Sequence, residues 1–571
     1  MKVTQYVAKT LRDIGVDTVF GQIGGFNANL VDAIVEGKQQ AFVLNYHEQG
    51  AAFAANSYAM VRENLGVATS SGAPSSCNLI AGIANAFFDS VPCLFLIGSV
   101  HSKALRKSPE IRQNAFEELD MVSMVSGITK YAARVDNPND IKYFLEKALY
   151  IAREGRKGPV VLDIPYDVAR SDITVEQLKG FTPQLDRKFD TVDVHAFAAI
   201  INNSKRPLIL LGGGARSTTS KRALLALLDK VAIPAVASLC GLDALPHDHP
   251  CFVGFMGHYG NRYANFAIAN CDALLILGSR LDERQIAGDK ARFAPDAKVI
   301  RIEIDPIEIG RNLPEHMSVY GSVEHFLSSG IIAECCENRF ERWHEVIGNW
   351  RRRYPSHDAS LDVVNAHNFF HAMSDYLPGN SIICADVGQN QMFAAQSLRL
   401  GPGHRLLNSA GYGSMGYSLP AAIGAAYARP DATVISINGD GGLQMNLQEL
   451  QVVKRDRLPL KIVVLNNHCL GMIRRLQERI LGDRTIASVQ GYESADYVAI
   501  AAAYGLQYLS IKSPDQYQLI EEYLRCPYSV LIEVNLPQKD TNNPEPGAAI
   551  DLQTPLLSDS ENEQIKMDCA F

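Results

Sequence analysis

The 571 residues are too many for one hydrophobic core and suggest three or four domains. With 47% hydrophobic residues, 20% charged residues and 43 glycines, the composition is that of a globular enzyme rich in tight turns. A net charge of −8 without a basic stripe argues against nucleic-acid and anionic-membrane partners, and no apolar run approaches the ~20 residues that span a bilayer.

The chain opens with Val3, Tyr6, Val7, Leu11 and Ile14 at helical spacing, charged residues between them, which predicts an amphipathic helix rather than a signal peptide. Eleven cysteines without CxxC spacing read as reduced and mostly buried, and adjacent Cys335 and Cys336 are badly placed for a structural disulfide. The expectation is a soluble, cytoplasmic protein. In a first block, 1–179, apolar strands at 41–44, 94–97 and 160–164 alternate with helical segments, the pattern of a mainly parallel sheet. Glu48 there precedes a helix of small residues and, read alone, complements its dipole. Close helix approach through those small residues would serve either a subunit contact or an internal one. The polar stretch 180–193 reads as a linker.

The second block, 194–340, begins with a strand at 207–211 that runs into Gly212-Gly213-Gly214, by itself a weak nucleotide signal. The third, 360–537, carries the strongest motif. A strand at 434–437 leads into Asn438-Gly439-Asp440-Gly441-Gly442, then a helix through Leu447, Leu450 and Val453, a strand at 462–465 and Asn466-Asn467. The glycines let backbone N–H groups approach a phosphate, while Asp440 and Asn467 offer oxygen ligands at neighbouring strand ends to a hard cation. Mg²⁺ bridging a diphosphate fits. Gly-Asp-Gly alone is a common turn; the spacing to Asn-Asn makes it specific. Residues 538–571, rich in proline, asparagine and acids, read as a polar tail over the surface or partly disordered. The fold class is α/β, three consecutive domains with mainly parallel sheets; periodicity alone does not establish whether the first and third are one fold used twice.

GDGG followed by Asn-Asn resembles the thiamine-diphosphate fingerprint, and the likeness runs over nearly the whole chain to the acetolactate synthase (acetohydroxyacid synthase) family. VFGQIGGFNANLVDAI, HEQGAAFAANSYA, FFDSVP and GPVVLDIPYDV carry it in the first block, GYGSMGYSLPAAIGAA, QMNLQEL and LNNHCLGMIRRLQE in the third. The resemblance implies pyrimidine-binding, central flavin-type and diphosphate-binding domains in that order. It implies Mg²⁺ held by Asp440, Asn467 and the Cys469 carbonyl. Thiamine diphosphate would meet Val387, Gly388, Gln389, Gly439, Gly441, Gly442, Leu470, Gly471 and Met472 on one side and Gly24, Gly25 and Asn78 on the other. Glu48 would relay a proton from the aminopyrimidine, Met415 would wedge the cofactor bent, and Phe116 would lie at the donor end. An isolated Met is otherwise ordinary packing. The relay and the metal would come from different copies, giving a homodimer or homotetramer.

In the middle block GSRLDERQIAG matches the family's flavin segment, which implies a non-redox FAD near Gly212, Gly213, Arg280 and Asp305, although many thiamine enzymes keep this domain without flavin. The implied activity is decarboxylation of a 2-keto acid, pyruvate, and carboligation to a carbonyl acceptor. Four departures fall near the acceptor. The family's AFQE is Ala115-Phe116-Glu117-Glu118, GQHQ is Gly388-Gln389-Asn390-Gln391, SGPGATN is Gly72-Ala73-Pro74-Ser75-Ser76-Cys77-Asn78, and a Trp is Leu476. Leu476 opens space, and Glu117 sets a carboxylate where the family has an amide. Arg284 either pairs an acceptor carboxylate or fixes the flavin or a domain contact. The acceptor is therefore pyruvate or something larger and uncharged; acetyl transfer to a keto-sugar and simple decarboxylation are the alternatives. A non-catalytic subunit is disfavoured because Glu48, Asp440 and Asn467 are all present.

Overall fold

A computed structural model of the chain describes residues 1–571 apart from 109, 184–187 and 359, so the centre of the expected linker lies outside the described residues. Each block folds around a six-stranded, wholly parallel sheet. The strands are short runs of Val, Ile, Leu and Ala, apolar toward both faces, and only helices on both sides can cover such a sheet.

The first sheet contains β1 (Thr18–Gly21), β2 (Ala41–Leu44), β3 (Gly66–Ser71), β4 (Cys93–Ser99), β5 (Tyr131–Arg134) and β6 (Val160–Pro165), in the order β2-β1-β3-β4-β6-β5. The middle sheet contains β7 (Pro207–Leu211), β8 (Ala235–Ala237), β9 (Phe252–Phe255), β10 (Ala273–Leu277), β11 (Lys298–Glu303) and β12 (Met317–Tyr320), in the order β12-β11-β10-β7-β8-β9. That is the doubly wound dinucleotide-fold order, whose switch point lies between β7 and β10. The third contains β13 (Ile382–Ala385), β14 (Arg405–Asn408), β15 (Val434–Gly439), β16 (Lys461–Asn466), β17 (Gln507–Ile511) and β18 (Val530–Asn535), in the order β14-β13-β15-β16-β18-β17. Numbered within its domain, this order is identical to that of the first sheet, so the first and third domains are one topology used twice.

The twins meet through equivalent helices, Glu48–Arg62 after β2 and Ser418–Ala428 after β14, both buried along nearly their whole length. A Cβ at Gly424 would collide with the Ala54 carbonyl, which sets how closely they cross. The small-residue face after Glu48 is thus filled within the chain.

Two expectations change. The single helix after the glycine motif is broken into Asp440–Gln444, a turn at Leu447–Glu449, and Leu450–Asp456. Asn446 sits at the break, its amide donating to the Gly416 carbonyl at 2.8 Å. The polar tail is packed rather than loose: Asn542, Glu545, Ile550, Gln553 and Ile565 are buried, and it ends in the helix Asp559–Asp568. Its polar residues pair with other domains, as when Arg475 meets the Glu545 carboxylate at 2.7 Å. Among the described residues no helix is long and apolar enough to cross a membrane.

Candidate active site

In a parallel sheet the loops leaving the carboxyl ends of the strands form one edge, and binding residues collect there. At that edge of the first domain Gly24 and Gly25 follow β1, Glu48 follows β2, and Asn78 ends the short helix Gly72–Asn78 after β3. Glu48 is 8% exposed. Its carboxylate accepts from Asn78 Nδ2 at 2.9 Å and from Ser75 Oγ at 2.6 Å. Gly24 is held by the Asn27 side chain and abuts Ser71, leaving no space for a Cβ, whereas Gly25 faces open space. Glu117 has a positive φ of 60°, and its carboxylate lies over Gly72, where a Cβ would strike it. Phe116 beside it projects outward, 82% exposed.

At the same edge of the third domain Val387, Gly388 and Gln389 follow β13, Met415 follows β14, Gly439 to Gly442 end β15 and begin a helix, and Asn467 to Met472 follow β16. Asp440 is 4% exposed; its Oδ1 accepts from the Gly441 N–H at 2.9 Å, while its Oδ2 is buried without a hydrogen-bond partner among the described residues. Burial raises the Asp440 carboxyl to about 6, against the pull of the Gly441 N–H and of the nearby Tyr492 hydroxyl, which falls outside hydrogen-bond geometry to Oδ2. An orphaned acidic oxygen of this kind suits a cation. Asn467 is buried beside it in the sheet, its Nδ2 3.4 Å from Gln389 Oε1, and His468 at φ 53° turns the chain toward Cys469. Among the described residues no three His, Cys, Asp or Glu gather as a metal cluster, so a cation here would use amide and carbonyl oxygens beside the single carboxylate. Met415 leans on this loop, its Cε 3.7 Å from the Gly441 Cβ position, where Leu470 also crowds in. Gly442 and Gly471 have no room for a side chain, since Asp386 and Gln389 occupy it.

Each twin fastens the other's second-strand loop with a carboxylate, fully buried for Glu449 and partly buried for Asp89. Glu449 of the third domain accepts from Asn45 Nδ2 (2.9 Å), Tyr46 N (3.0 Å) and His47 N (2.9 Å), directly before Glu48. Asp89 of the first domain accepts from Ala410 N (3.1 Å) and Gly411 N (2.7 Å), five and four residues before Met415. Burial pushes Glu449 up to about 7 and Asp89 to about 6, the accepted N–H groups opposing it in both. Residue patterns single out neither acid, because each acts on residues several hundred positions away.

The middle domain opens at its switch point into a cleft of about 590 Å³ lined by all three domains. Gly212 and Gly214 press against the Gly278 turn, and Gly213 and Arg280 line the opening. Arg280 donates to the Phe88 carbonyl at 3.1 Å, and Asp305 receives Arg156 at 3.2 Å, so both join the middle domain to the first. Volume, glycines and position fit a dinucleotide cofactor. At the far end stands Arg284, exposed and without an ion pair among the described residues, its Nη2 3.9 Å from Met392 Sδ. Tyr259 of the same wall donates to Met472 Sδ at 3.0 Å, at the start of the helix Gly471–Ile480. Leu476 lies on that helix, 48% exposed, while Glu117 lies over Gly72 at the start of the short helix that carries Ser75 and Asn78.

Comparison with known proteins follows the three sheets. Residues 1–124 match the thiamine pyrophosphate enzyme N-terminal TPP binding domain, 194–329 its central domain, and 386–534 its C-terminal TPP binding domain. The chain is 35% identical to the acetolactate synthase large subunit of Parasynechococcus marenigrum, over 92% of this chain and 86% of that one. It is 33% identical to the acetolactate synthase isozyme 2 large subunit of Escherichia coli, over 96% and 98%. With the Lactococcus lactis acetolactate synthase large subunit the identity is 33%, over 90% and 88%.

Proposed function

Because this chain belongs to the acetolactate synthase family of thiamine-diphosphate-dependent enzymes, we propose that it decarboxylates a 2-keto acid, pyruvate, and joins the two-carbon unit to a carbonyl acceptor. One observation carries this reading: a buried, partnerless Asp440 oxygen beside Asn467, in a chain that also keeps Glu48 buried and hydrogen-bonded. Asp440, Asn467 and the Cys469 carbonyl would hold Mg²⁺. Thiamine diphosphate bound there supplies a nucleophilic carbon and an electron sink for loss of CO₂. Glu48 holds or passes a proton at its carboxylate, in a pocket where water competes little. Met415 keeps the glycine loop covered on its open side.

The cleft at the middle switch point, with Gly213 and Arg280 in its wall and Gly212 and Asp305 next to lining residues in the chain, supports a bound FAD that takes no net redox part. Two or four copies of the chain would assemble in the cytoplasm, the first domain of one copy facing the third domain of another.

Leu476 favours an acceptor larger than pyruvate. Half exposed on the helix Gly471–Ile480, whose first turn touches Tyr259 of the cleft wall, it leaves the space an indole would fill. The keto group of an activated sugar suits that space, and Arg284, free of any carboxylate partner among the described residues, would grip an anionic group on either kind of acceptor. Mass spectrometry of the products from pyruvate, alone and with aldehyde and keto-sugar acceptors, tests both readings. Acetolactate alone makes this an ordinary acetolactate synthase, a branched product selects the sugar, and acetaldehyde alone in every mixture rejects carboligation.

A further inference from the structure

Glu48 is oriented by a short helix whose own serines are locked in place. Within and before Gly72–Asn78, Ser70 Oγ and Ser76 Oγ lie 3.0 Å apart, and Ser76 Oγ donates to the Gly72 carbonyl at 2.6 Å. Ser75 Oγ accepts from the Ser71 N–H at 3.3 Å. With one lone pair so engaged, the Ser75 proton points to Glu48 Oε1, 2.6 Å away. The start of the helix is pinned as well. Gly72 has φ +71° with no room for a Cβ under the Glu117 carboxylate, and Ala73 N donates to the Glu117 carbonyl at 3.2 Å.

Glu48 has no cationic partner within ion-pair distance among the described residues, so two neutral donors, Ser75 and Asn78, fix the plane of its carboxylate. A hydroxyl donating to a carboxylate at 2.6 Å is a short, charge-assisted bond, the stronger of the two. A proton relay depends on its atoms being held within a fraction of an ångström of the transfer geometry.

We infer that Ser75 is a positioning residue for Glu48, holding its carboxylate in the one orientation in which it serves the relay. The inference rests on the reading of Glu48 given above. Ser75→Ala, Ser75→Thr and Glu48→Gln, each saturated with Mg²⁺ and thiamine diphosphate, would be compared for CO₂ release from pyruvate. Crystal structures of the Ser75 variants without substrate add a readout independent of turnover.

Ser75→Ala is expected to lower kcat about 10- to 100-fold while KM and cofactor affinity stay within about twofold, because the lost bond is to a charged group and orients a transfer rather than binding substrate. Its structure should show Glu48 in more than one orientation. Ser75→Thr, which keeps the hydroxyl, should recover turnover and the single orientation. Unchanged kcat with a fixed Glu48 in Ser75→Ala overturns the inference, as does a Thr variant that keeps the bond yet is as slow as alanine. Full activity in Glu48→Gln would instead remove the relay reading itself; loss there, with Ser75→Ala unaffected, sinks only the role of Ser75.

Discussion

The first and third domains share one strand order but put equivalent loops to different chemistry. After the second strand stands Glu48 in one and Met415 in the other; after the third, the helix carrying Ser75 and Asn78 in one corresponds to the Asp440 motif in the other. After the fourth, one has the loop bearing Phe116 and Glu117, the other Asn467 to Met472. The fold supplies positions along one sheet edge, and the residues set there decide whether a position handles protons or a charged diphosphate. What the twins keep in common is mechanical: equivalent helices cross, and each loop is closed by the other domain's acid.

Breaking the shared part should do the most damage. Gly424→Val places a branched side chain against the Ala54 carbonyl and is expected to destabilise by about 3 kcal/mol or more, seen as a large drop in melting temperature and in soluble yield. A variant that melts like the parent would show that the helices can move apart freely.

Breaking the chemistry of one twin should leave the frame standing. Asp440→Ala is expected to weaken retention of Mg²⁺ and thiamine diphosphate by about 100-fold or more in titrations, the order by which supporting residues of metal sites matter. The cofactor-free melting temperature should hold or rise, because a buried partnerless carboxylate oxygen is removed.

The acids that close the loops can be separated by pH. Burial lifts Glu449 from 4.5 to about 7, so across that window the folded protein holds a proton that the unfolded chain releases. The stability from this group is full below about pH 4.5 and declines as pH rises toward 7. Glu449→Gln does not titrate. Its melting temperature should therefore fall furthest short of wild type near pH 5, and the gap should narrow by pH 8. A gap that widened with pH would reverse the sign and show Glu449 to be stabilised as the anion.

The smallest effect belongs to the acceptor side. Leu476→Trp should cut the use of bulky carbonyl acceptors several-fold relative to pyruvate, about 1 kcal/mol in selectivity, with turnover of pyruvate alone little changed. Equal product ratios in competition would detach Leu476 from acceptor choice.

Much of this was legible in the chain itself. Short apolar strands between helical segments give three parallel sheets, and the spacing from Asp440 to Asn467 places both at adjacent strand ends, because one broken helical segment and one strand return the chain to the same edge. Other features were not, for reasons of distance. Glu449 and Asp89 bind backbone N–H groups, which leave no mark on the residues they touch. Ser75 stands among several small polar residues, and only the positions of Ser71 and Glu48 distinguish it. The tail misleads because its asparagines and acids are buried against partners in other domains, which composition does not reveal.

The crossing of the twin helices also fixes a timetable for synthesis. Ala54 leaves the ribosome 370 residues before Gly424, a delay of roughly 20 to 70 s at ordinary elongation rates. For all that time the alanine-rich helix Glu48–Arg62 lies on its own sheet but the face that will meet Ser418–Ala428 has no cover, and residues 45–47 wait for Glu449. The first domain is therefore born with a sticky face that only the last domain covers, and a fragment that ends at residue 179, which never gains that cover, should collect on chaperones or precipitate.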